Sequence, residues 1–179
     1  MISSSIMFDA MQLKTLEKAT QIAEELTTDR FSLTNRDWAR TPFFVNTVGL
    51  HTSRRVTVPK DCFAHLVYYS KAQDKKKSPR ETCGFYNIFV NDPKITDWLK
   101  KRPGFGLLPL LTYVMTHELV HIARFLRFHC HPLTDAKVHE EGIVHEVTSD
   151  ILKKIKMDGL SAILEYFNAT TRRFSHADL

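Results

Sequence analysis

Cysteine is scarce in this chain of 179 residues. Cys62, Cys83 and Cys130 are the only three, and no two form a CxxC pair. An odd count without pairing argues against a disulfide framework and for a reducing compartment, the cytoplasm. The opening residues, MISSSIMFDAM, carry neither a basic leader nor a long apolar run, so no secretory signal is expected. There is no internal repeat and no composition break that would mark a second domain. Residues 1–179 therefore read as one domain: N-terminal helices over 1–42, a strand-rich part over 43–92, a helical part over 93–169 and a tail over 170–179. The stretch Leu107 to Ala123 has the length of a membrane span, but two histidines and a glutamate in its second half exclude that reading. Charge is also modest, at +5. The most basic segment, Lys71 to Arg80, has no aromatics between its lysines, so the single-strand-binding pattern is missing and nucleic acid is not the expected partner.

What the chain does have is apolar content of 43% and aromatic content of 11%, enough for a real core. It is densest in Leu107 to Phe128, LLPLLTYVMTHELVHIARFLRF, a helix apolar on almost every side. Three groups in its middle do not belong in a core without a purpose: His117, Glu118 and His121. They spell HELVH, a match to the H-E-x-x-H pattern. Positions i and i+4 share a helix face, so both imidazoles can address one ion. Glu118 lies about 100° round the helix, free to act on a bound water without entering the ligand shell. That is the arrangement for metal-assisted hydrolysis. With nine histidines and nine glutamates in the chain, a chance match has a probability of roughly 2%. A chance match would also rarely fall in the most apolar helix, where unpartnered polar groups cost several kcal/mol.

Elsewhere the pattern predicts an amphipathic helix from Phe8 to Leu26 and a short helix after the Thr34/Asp37 capping box, stapled by Leu33 and Trp38. Strands are expected at Val56–Val58, Phe63–Tyr69 and Phe85–Val90, the last either an edge that could take an extended peptide or an ordinary core strand. Asp92-Pro93 reads as a helix start, with the helix ending at Lys100-Lys101-Arg102. After Phe128, Thr134 or Asp135 can cap a second long helix, Ala136 to about Met157, followed by a short one over Leu160–Phe167 and a frayed tail. The expected architecture is α+β: a small antiparallel sheet packed on two long helices that carry the metal site.

Two histidines do not complete a catalytic zinc site, and the second long helix is the natural source of a third ligand. On its wheel the apolar residues Ile143, Val144, Val147, Ile151 and Ile155 centre near about 70°. Glu146 and Asp150 lie on one flank at about 300–340°, Glu141 and His145 on the other at about 160–200°, and Glu140 near about 60°. Each flank can face the metal.

HELVH on a buried helix, followed by a helix bearing Glu-x-x-x-Asp, resembles the zincin metallopeptidases. Within them it is most similar to the gluzincin, thermolysin-like branch. His145-Glu146-Val147-Thr148-Ser149-Asp150 is similar to that branch's Asn-Glu-x-x-Ser-Asp segment. The resemblance covers about forty residues and implies a minimal zincin-like fold. It also implies one Zn2+ held by His117, His121 and Glu146, Glu118 as general base, and Asp150 supporting a ligand from behind. The substrate class implied is a peptide or protein. His145 stands where the branch has Asn and is itself a ligand type, so His145 and Glu141 remain rivals for the third place. Metzincins require Gly and His where this chain has Arg124 and Arg127, and that branch does not fit. His131 and His139 are later histidines that a SprT-like arrangement would use. Arg124, Tyr113 and His129 are the side chains that could steady an oxyanion, although Arg124 and Arg127 also fit the plain reading of a helix emerging into water. Imidazole and carboxylate ligands suit iron and manganese as well as zinc. The competing class is a metal-binding regulatory, interaction or structural protein without turnover.

Overall fold

The computed structural model describes residues 7–50, 59, 61–70, 84–128 and 137–175. Within them are six helices and a three-stranded mixed sheet, an α+β architecture. Helix α1 (Ala10–Phe31) opens on a capping box in which Asp9 accepts from the Met11 and Gln12 amides and Gln12 returns a bond to the Asp9 amide. It runs one turn past the expected end and stops at Ser32, in the left-handed region at φ 50°. Helix α2 (Asn35–Arg40) starts on the Thr34/Asp37 box that the spacing predicts.

Strand β1 (Phe43–Thr47), which the sequence pattern did not single out, lies parallel to the central β3 (Gly84–Val90). Strand β2 (Ala64–Ser70) lies antiparallel on the other side of β3. One expectation is corrected here, since the sheet is mixed rather than antiparallel, and of the two readings of Phe85–Val90 the ordinary core strand is the one found. The reason is visible in β3 itself. Ile88, Phe89 and Val90 are consecutive and nearly fully buried, as a strand enclosed on both sides and both faces requires. The predicted strand at Val56–Val58 lies outside the described residues.

The register builds three cross-strand rows facing the helices: Phe43–Tyr86–Tyr68, Val45–Ile88–Leu66 and Thr47–Val90–Ala64. All but Thr47 join one hydrophobic core with α1, α4 and α6. Gly84, paired with Ser70 beyond the first row, leaves room for the Tyr68 ring, with which a Cβ there would collide. Helix α3 (Asp92–Lys100) is capped by Asn91, not by Asp92. Asp92 is fully buried instead. Its carboxylate accepts from the Phe8 amide at 3.1 Å and the Gly49 amide at 2.9 Å, tying together the starts of α1 and α3 and the end of β1.

Helix α4 spans Leu107–Phe128, as the sequence predicts, and is buried along most of Pro109 to Ala123. Pro109 is tolerated because first-turn amides have no partner within the helix. Its main neighbour is α1, which presents Ala19 and Ala23, both fully buried; their small side chains permit close approach. The buried hydroxyls of Thr112 and Thr116 bond back to the carbonyls of Leu108 and Thr112. Helix α5 (Lys137–Leu152) stops earlier than expected, and α6 (Leu160–Ser175) extends through Thr170–Ser175, where a frayed tail was expected. Both pack on α4. Among the described residues no helix is long and apolar enough to cross a membrane.

Removing the Asp92 carboxylate takes the acceptor from one buried amide, Phe8, and one part-buried amide, Gly49. Asp92→Ala is expected to lower stability by about 2–4 kcal/mol. A urea denaturation midpoint equal to wild type would contradict the role given to Asp92.

Candidate metal centre

The site grows from one turn of α4. His117 and His121 lie on the same face, their rings 4.9 Å apart and nearly perpendicular, with side chains only 12% and 10% exposed. Glu118, on the adjacent face, is buried. Tyr113, one turn earlier, is buried and stacks on Phe167.

Helix α5 supplies the rest. It is rolled so that the flank carrying Glu141 and His145 faces α4. The Glu141 carboxylate spans both histidines: Oε2 lies 3.2 Å from His117 Nε2, and Oε1 lies 3.4 Å from His121 Nε2. One donor atom each from His117, Glu141 and His145 falls within 4.8 Å of the others. The His145 and His117 rings are 4.5 Å apart, and His145 Nδ1 shares a 2.7 Å hydrogen bond with the Tyr113 hydroxyl.

The opposite flank points away. Glu146 is exposed, and Asp150 is exposed and paired with Lys153 at 3.7 Å, so neither joins the histidines. The roll follows from packing: Val144 and Ile151 are buried with Val120 of α4, and Val147 packs on them. That choice of apolar face brings Glu141 and His145 inward together. Glu140, near the apolar arc on the wheel, is taken by Arg124. Arg124 is therefore not simply where the helix meets water, whereas Arg127 is exposed and bonds the carbonyls of Phe31 and Ser32. His139 is exposed, and His129 and His131 lie outside the described residues.

The electrostatics follow the geometry. Burial pushes the Glu118 carboxyl up; His117 and His121 pull it back, and Glu141 adds to the rise. Burial also acts to raise Glu141, but hydrogen bonds from His117 and His121 outweigh it and hold this carboxylate well below the usual range. For His121 burial acts downward, yet the hydrogen bond to Glu141 and the charge of Glu118 leave it raised. His145 is pulled down to about 4, by burial first and then by the His117 charge, so it is a neutral imidazole near pH 7. Burial keeps the Tyr113 phenol protonated.

Imidazole and carboxylate are donor types that divalent transition metals take, and the group among the described residues whose donor atoms lie together is His117, Glu141 and His145, with His121 against the other Glu141 oxygen. Zinc bonds of roughly 2.0–2.1 Å in a tetrahedron separate neighbouring ligand atoms by about 3.4 Å. The separations on Glu141, 3.2 and 3.4 Å, match that edge, and the longer one exceeds an ordinary N–H···O bond. Among the described residues the buried His117 Nδ1 has no hydrogen-bond partner, so the protein supplies no orienting bond of the kind a metal-bound imidazole usually makes from its second nitrogen. Two contributors escaped the sequence reading. His65 on β2 and Cys62 just before it lie close enough to interact electrostatically with Glu118. No local pattern marks either residue; only the fold brings them near. Comparison with family models, with curated proteins and with solved structures finds no match to this chain.

The His145 shift gives a pH signature in metal-free protein. Its folded value of about 4 lies below its ordinary 6.5, so the folded chain binds fewer protons there. The stability it contributes is fully present above pH 6.5 and is lost as pH falls towards 4. Across that window wild type is expected to lose more stability than His145→Asn. Parallel denaturation curves for the two proteins would contradict the assignment.

Proposed function

We propose that the protein is a metal-dependent hydrolase of the peptidase kind, a minimal zincin-like enzyme acting in the cytoplasm. Its divalent ion, zinc or another transition metal that takes imidazole and carboxylate ligands, would be held by His117, His121 and Glu141, with Glu118 as the general base. The observation that carries this reading is the single carboxylate of Glu141 against both ring nitrogens of HELVH, beside a second, buried carboxylate. Glu141 takes the role that the resemblance implied for Glu146.

A bound zinc supplies a Lewis acid for a carbonyl oxygen and lowers the pKa of water towards about 7. The chain's own groups do the remainder. Glu118, its proton affinity raised by burial, accepts a proton from the attacking water and returns it to the leaving amine. Glu141, its carboxyl pKa held low, keeps its charge and holds the two imidazoles in register. Tyr113 orients His145. The substrate class is a peptide or protein presenting an amide carbonyl.

A second reading is favoured by His145. Its donor atom near His117 and Glu141 makes a fourth protein ligand available, and four protein ligands would close the centre and make it structural.

Metal content of protein purified without added metal tests the first reading. About one zinc per chain is expected in wild type. His117→Ala and Glu141→Ala should each lose it, while Glu146→Ala keeps it. No metal in wild type even after reconstitution would sink the proposal. Glu118→Gln should retain the metal and abolish peptide hydrolysis; undiminished turnover would remove Glu118 from the mechanism. His145→Ala separates the readings, since an open catalytic centre keeps its metal and turnover whereas a closed structural one loses metal and stability together.

A further inference from the structure

We infer that Arg124 and Glu140 form a positioning pair that sets the Glu141 carboxylate against His117 and His121, and so governs metal affinity without touching the metal. The inference rests on the ligand set proposed above. Arg124 Nε donates to Glu140 Oε1 at 2.7 Å and Nη2 donates to Oε2 at 2.9 Å, a two-pronged bond between planar groups. The side chains are only 14% and 22% exposed, so this is not a loose surface pair. Arg124 follows His121 by three residues on α4, and Glu140 directly precedes Glu141 on α5. One bonded unit therefore links the turn that bears a histidine ligand to the residue beside the carboxylate ligand.

The need for such a link is local. Glu141 lies near the N-terminal end of α5 with a side chain 47% exposed, and Gly142 follows it with open space around its Cα. Glycine inside a helix costs about 1 kcal/mol relative to alanine and leaves that turn easily distorted. Among the described side chains, the apolar anchors of α5 on α4, Val144, Val147 and Ile151, lie C-terminal to Glu141. Among the described side chains, the Arg124–Glu140 bond is the strong contact that fixes the turn on the other side. Arg124 also lies over the Phe128 ring at 5.4 Å, which restrains the guanidinium's own orientation. A lysine would keep the charge but not the fork.

The test uses the full chain and two metals alone as probes: Zn2+ affinity by chelator competition, and the visible absorption spectrum of the Co2+ form. Arg124→Lys and Glu140→Gln are conservative in size and should fold. Each is expected to bind Zn2+ 10–100-fold more weakly, the range for groups that orient ligands, with an altered Co2+ spectrum. The swapped double variant, Arg124→Glu with Glu140→Arg, should recover most of the affinity. Wild-type affinity and spectrum in both single variants would overturn the inference and leave the metal centre standing. An unrecovered swap would assign the effect to general packing and also overturn it. Failure of wild type to bind either ion would instead refute the proposed ligand set, and the inference with it.

Discussion

The structure turns on the burial of three ionisable groups in the middle of one apolar helix. Helix α4 is enclosed along most of its length, and a helix in that position cannot turn His117, Glu118 and His121 out to bulk water. Taking an imidazole or a carboxylate out of water without partners costs several kcal/mol. Glu141 answers for two of the three by lying across both histidines while its own side chain keeps about half its exposure. The polar cluster thus forms at a seam, where the closed interior of α4 meets the edge of α5.

Everything else fixes the frame of that seam. The alanines of α1 let two long helices approach closely, and the aligned rows of the three strands close the core beneath them. Asp92 ties the starts of α1 and α3 to the end of β1, at a distance from the histidines in sequence and in role. Around the site the contacts are polar and paired instead: Tyr113 with His145, and Arg124 with Glu140. The scaffold is held by area, the site by direction.

Much of this was legible in the chain. HELVH and the limits of α4 stand out because a long apolar run broken by three polar groups at one-turn spacing is costly to bury unless those groups share a partner. The Thr34/Asp37 box and the β2 and β3 segments follow from residue type at fixed spacing. The rest depends on relations between elements. β1 escaped because five residues, FFVNT, carry too short a pattern, and its parallel pairing is set by the chain's path. The roll of α5 was the sharpest case. Its wheel offers acidic groups on both flanks, and only the packing of Val144 and Ile151 on Val120 decides for Glu141 over Glu146. Arg124 was read by position along its helix, while its role comes from a partner sixteen residues on.

The two consecutive helices also separate two ranges of chain closure. His117 through His145, with both carboxylates between them, span about thirty residues, so bringing these groups together closes only a short loop. The face of α4 that they leave behind is covered by α1, which begins near residue 10. The parallel β1–β3 pairing joins Phe43 to Tyr86, another distant closure. Contacts of long range slow folding, whereas a helical pair can form early. The polar cluster is therefore able to assemble before its apolar roof does. In a partly opened chain, α4 and α5 would keep their charged groups gathered while the face of α4 that α1 covers is left apolar and exposed. On partial opening the exposed hazard is thus the apolar face of α4 that α1 covers, whereas during synthesis α1 precedes α4 in the chain and is available to cover it first.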